Sequence, residues 1–150
     1  MTLVIACSRP EKPFIVPGLD EVRSVKVCHL KDPLVLWERE IRDPRQINKL
    51  LVHFRKHNTG YRLHTRLDDL LYSRPLDYTI VFKGEEGSRS PLILHIGSNW
   101  MSSYWIGGYD FKRGQPTLYR SRSLRKSELK EILAIVKEDH EPKGPGSSAR

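Results

Sequence analysis

Apolar positions along this chain repeat with two different periods. Ile47, Leu50, Leu51 and Phe54 fall at i, i+3, i+4 and i+7, one buried stripe of a helix. Asp43-Pro44 opens that helix: the aspartate side chain accepts from free first-turn amides, and a proline at the first helical position has no amide to satisfy. Asn58 and Gly60 end it. Leu129, Ile132, Leu133 and Val136 repeat the stripe and predict a terminal helix starting near Ser123 or Ser127. Elsewhere the pattern is that of strands. Residues 22–29 and 34–41, separated by Asp32-Pro33, read as a hairpin. A meander of four strands follows, at 77–82, 92–96, 100–106 and 117–120. Tyr78, Ile80 and Phe82 share one face of the first, and the near-continuous apolarity of the second marks it as central. The glycines at 84, 87, 97, 107, 108 and 114 are placed where strands turn. Residues 61–76 fit either a short helical turn around Leu67, Leu70 and Leu71 or a packed loop.

This order predicts an α+β fold: a single antiparallel sheet, made of the N-terminal hairpin and the four-strand meander, with two helices packed on one face. Each helix has one apolar stripe, so each needs the sheet. The other sheet face is left to water or to a partner. The layout is similar to that of small inhibitor-like and immunity-like proteins, and layout does not fix activity. At 150 residues the chain is read as one domain over 19–140, with 1–18 as a tether or disordered start and the Pro, Gly and Ser of 141–150 as a loose tail. Such a chain buries roughly two-thirds of its unfolded surface, so its core needs no disulfide or metal staple.

The first seven residues resemble the end of a bacterial lipoprotein signal. Leu3, Val4, Ile5 and Ala6 precede Cys7, and Pro10, Pro13, Pro17 and Gly18 then suit a tether. The resemblance implies lipid attachment at Cys7 and a place at the cell envelope. The segment has no basic start and is short of apolar residues, so the reading takes it as the end of a longer or trimmed signal. The competing reading is an edge strand over 2–7 in a cytoplasmic protein. No run reaches the ~20 apolar residues of a membrane span.

Charge narrows the partners. The formal net charge is +8, and residues 112–130 concentrate it: Lys112, Arg113, Arg120, Arg122, Arg125, Lys126 and Lys130 stand against Glu128 alone. Such a stretch meets an acidic protein, anionic lipid or nucleic acid, or simply stays solvated. Trp100, Tyr104 and Trp105 lie just before it. In a strand, Trp100, Tyr104 and Ile106 share one face and Trp105 points to the other. One face packs on the helices; the second presents rings beside arginines, as partner-binding surfaces do.

Catalytic patterns are weak. His53 and His57 lie four apart on the first helix, a metal-capable spacing, yet no acidic third ligand stands at a recognisable distance in sequence. Arg55 and Lys56 beside them repel a cation, so the pair reads as surface histidines near the helix end, with no metal expected. Ser123-Leu124-Arg125-Lys126 and Ser127-Glu128-Leu129-Lys130 both match S-x-x-K, but its partner motifs are absent and helix capping explains the serines. Asp68-Asp69 and Glu85-Glu86 sit on turns. G-x-S-x-G, P-loop and dinucleotide glycine patterns are absent, so no cofactor is expected. The leading expectation is a small non-enzymatic, monomeric binding module, tethered through Cys7, with Trp100, Tyr104, Trp105, Arg120, Arg122, Arg125 and Lys126 as its contact surface. The alternative is a cytoplasmic nucleic-acid-binding protein using the same basic stretch.

Overall fold

The computed structural model describes residues 14–31, 33–63, 75–87, 90–98, 103–112 and 115–138. Cys7, Trp100, the proposed tail and the undecided turn around Leu67 to Leu71 lie outside them.

Among the described residues, seven strands form one antiparallel sheet, and two helices cover one face. The hairpin is β1 (Ser24–Lys31) and β2 (Leu34–Ile41), followed by α1 (Pro44–Lys56) and a two-residue β3 (Arg62–Leu63). The meander is β4 (Leu76–Lys83), β5 (Leu92–Ser98), β6 (Tyr104–Lys112) and β7 (Gln115–Leu124), and α2 (Lys126–Val136) closes the fold. In space the order is β2-β1-β4-β5-β6-β7-β3. β2 and β3 are opposite edges, so α1, which joins them, crosses the sheet.

Sheet register puts the apolar positions on the helix side. Val25 pairs with Phe82 and Val27 with Ile80; Ile80 pairs with Leu94, and Ile96 with Ile106. These side chains, with Leu92, pack against Ile47, Leu50, Leu51 and Phe54 of α1 and Leu129, Ile132 and Val136 of α2 in one core. The Phe54 ring meets Phe82 edge-on at 5.8 Å. Burying side chains of this size contributes about 1.5–3 kcal/mol each relative to exposure, which is why each helix lies on the sheet.

The helices run antiparallel, and polar contacts set their register. Gln46, buried in the first turn of α1, donates through Nε2 to the carbonyls of Ile135 at 2.8 Å and of Val136 and Glu138 at 3.2 Å. It thereby adds a donor to carbonyls at the end of α2, where the regular helix ladder runs out. Lys49 Nζ reaches Glu138 at 2.8 Å beside it. At the other end, His53 and His57 of α1 face Glu131 and Glu128 of α2.

Three sequence expectations change. The third meander strand starts at Tyr104 and runs through Gly107-Gly108 to Lys112, and the fourth spans ten residues, not four. Gly97, Gly107 and Gly108 are therefore strand residues and not turns. Space is the reason: a Cβ on Gly97 would lie 2.5 Å from the Trp105 indole, and one on Gly108 would overlap the Ile93 carbonyl. Neither Ser123 nor Ser127 caps α2. Ser123 ends up in β7, and the cap residue is Arg125, which makes no side-chain capping bond.

Candidate functional site

The chain brings four segments to the β3 edge of the sheet. α1 ends there, β3 follows it, β7 pairs with β3 through Arg62 and Ser121, and α2 starts from the end of β7. Between them lies a polar cavity of about 770 Å³ lined mainly by hydroxyls and charges, with His57, Arg62, Arg122, Arg125, Glu128 and Glu131 as its ionisable groups.

Its wall is a buried ion pair. Arg122 Nη2 donates to Glu128 Oε2 at 2.9 Å and Nη1 to Oε1 at 3.3 Å, with side chains only 8% and 10% exposed. The guanidinium also sits 5.1 Å from the centre of the buried Tyr61 ring, a cation–π contact. Burial alone would push the Glu128 carboxyl up. The Arg122 hydrogen bond and charge, the nearby His57 and the Arg125 backbone N–H outweigh it and hold the carboxyl below its ordinary value. Glu128 is the third residue of α2, so that last contact is the return half of a capping box, and the carboxylate also faces the positive end of the helix dipole.

Beside this pair sit the two histidines. His53 Nδ1 lies 3.4 Å from Glu131 Oε2, and His57 Nδ1 lies 3.8 Å from Glu128 Oε2. Their rings are 4.6 Å apart. His53 is 7% exposed, which corrects the expectation of two surface histidines. Burial, then the neighbouring His57, moves its pKa below the ordinary histidine value, so it is neutral at pH 7. The acidic neighbours absent from the local sequence come from α2, more than seventy positions along the chain. The turn of α1 against α2 brings them in, and spacing within one helix gives no sign of it.

The structure divides the proposed contact surface. Arg125 and Lys126 are exposed at the start of α2. Arg122 lines the cavity but is committed to Glu128. Arg120 is only 6% exposed and belongs to the interior, not to a solvated basic face. Tyr104 packs partly against the core on the helix side. Trp105 points to the opposite face as its alternation requires, but it is only 4% exposed, with its ring across Gly97 and against Leu76 and Tyr109. His95, also on that face, is buried deeply enough that its pKa falls to about 4. The expectation of a far face left to water therefore does not hold around Trp105 and His95. An aromatic surface at Trp105 is replaced by one ring edge at the cavity wall. Sequence reasoning missed Arg62, whose role depends on β3 pairing with β7, and the histidine–glutamate cluster.

Among the described residues no helix is long and apolar enough to cross a membrane. Comparison with protein-family models, curated proteins and solved structures finds no match.

Proposed function

We propose that the protein is a small non-enzymatic binding module that takes an acidic segment of a partner protein at the β3-edge cavity. The observation that carries this reading is the pair of exposed guanidinium groups, Arg62 and Arg125, at the mouth of a polar cavity. Glu128 neutralises Arg122, which leaves Arg62 and Arg125 facing Glu131 and gives the mouth a positive balance. Serine and threonine hydroxyls around the rim supply neutral donors.

A nucleic-acid role fits less well. Phosphate neutralisation needs exposed cations in a row, and Arg120 and Arg122 point inward. An oligoglutamate peptide serves as the probe, and a single-stranded oligonucleotide as the rival. The full chain binds the peptide at low salt, and Arg62→Glu/Arg125→Glu weakens it at least about tenfold, the loss of two charge-assisted contacts. Unchanged peptide binding in that variant, or tighter binding of the oligonucleotide with a steep salt dependence, removes the proposal.

Tethering at the cell envelope through Cys7 belongs to the same reading and rests on the apolar run that ends there. Expressed from its own locus, the protein sediments with membranes, and Cys7→Ser releases it. Identical fractionation of both forms contradicts the tether.

A further inference from the structure

We propose that His53, His57 and Glu131 form a binding site for a divalent zinc-like cation that clasps α1 to α2 and leaves one coordination position open to the cavity. The site shares the cavity with the acidic-partner reading but does not depend on it.

The geometry carries the assignment. One donor atom from each residue lies within 4.8 Å of the others. A tetrahedral zinc ion with bonds of about 2.0–2.1 Å needs donors about 3.3 Å apart. His53 Nδ1 and Glu131 Oε2, at 3.4 Å, already meet that spacing. The remaining closure falls to His57, half-buried, and to Glu131, whose side chain is 62% exposed. His53 Nδ1 is the ring nitrogen that faces Glu131, and it is the donor atom this residue offers. A cation between them would bind both. Two imidazoles and one carboxylate are a donor set that zinc and its neighbours accept, unlike magnesium or calcium, which take oxygen ligands.

Two of the nearby positive charges are engaged elsewhere. Arg122 is tied to Glu128. Arg55 Nη2 donates to the Pro17 carbonyl at 3.0 Å, so its guanidinium is engaged there. His57 and Glu131 both line the cavity, so the fourth position faces it, where water or a ligand atom can enter.

Calorimetric titration of the untagged full chain with zinc chloride tests the site, with melting temperature as a second readout. The wild type binds one zinc ion through this cluster, and saturating zinc raises the melting temperature by about 4 °C or more. Glu131→Gln and His57→Ala fold with unchanged apo stability and lose binding at least about tenfold, as loss of a ligand should. Cys28→Ser leaves binding intact, which separates the cluster from the thiol. If His57→Ala fails to fold, the exposed Glu131→Gln alone decides. Absence of stoichiometric binding, or equal binding by the wild type and Glu131→Gln, overturns the proposal.

Discussion

Replacing Arg122 by methionine lowers stability by about 3–5 kcal/mol, the cost of leaving one member of a buried ion pair alone in the interior. Glu128→Leu does the same from the other side. Both side chains are nearly buried, both Arg122–Glu128 hydrogen bonds are in place, and Tyr61 fills the remaining side of the guanidinium. Removing either partner leaves the other, nearly buried, charge without its main counter-ion. The double variant Arg122→Met/Glu128→Leu recovers most of the loss, because two apolar side chains of similar size need no counter-ion. Denaturant unfolding of the four proteins gives the coupling energy, and additive losses contradict the account. The pair also has a pH signature. Glu128 titrates below its ordinary value in the folded chain, so its contribution is complete above the unfolded carboxyl pKa of about 4.3 and disappears as pH falls through the folded value. The double variant lacks that acid-side loss.

Gly108→Ala is the second large effect, at about 3 kcal/mol or more. Gly108 pairs with Leu94 across β5 and with Arg120 across β7. An added methyl overlaps the Ile93 carbonyl and crowds the Leu94 Cα. Both are backbone atoms of a central strand, so neither can swing aside as a flexible side chain would. Relief requires β6 to separate from β5, which also moves Trp105 off Gly97 and shifts β7, the strand that carries Arg122 into the cavity. Thermal unfolding measures the effect. A melting temperature within 2 °C of the wild type, a shift worth less than about 1 kcal/mol in a domain of this size, contradicts the close approach of these strands.

Gly108 also shows where the sequence misleads. Two consecutive glycines between aromatic residues have the composition of a turn, and here they are the place where three strands crowd together. Nothing local distinguishes the two cases, because the crowding comes from Ile93 and Arg120 on other strands. The helices were legible for the opposite reason. Their stripes are local, and the Asp43 cap, which accepts from the Arg45 amide at 2.9 Å, lies within two residues of its donor. The hairpin and the single-sheet plan follow from the same local periodicities.

The site was half legible. Arg125 and Lys126 stand exposed where the basic stretch suggested, but alternation along β7 turns Arg120 and Arg122 to the helix side. Charge density in a sequence does not reveal which arginines a strand sends inward. The histidine pair was visible, and its glutamate was not, because the antiparallel packing of α1 on α2 supplies it. That packing depends on Gln46 holding the far end of α2, a contact between residues ninety positions apart in the case of Val136.

The proposed entry point for an acidic partner is where α1, β3, β7 and α2 meet. Amide chemical shifts recorded during titration with oligoglutamate test it directly. The account predicts that the largest changes fall at residues 57–62 and 121–131 and vanish in the Arg62→Glu/Arg125→Glu variant. Changes confined to the β1–β2 hairpin, or undiminished in that variant, would contradict it.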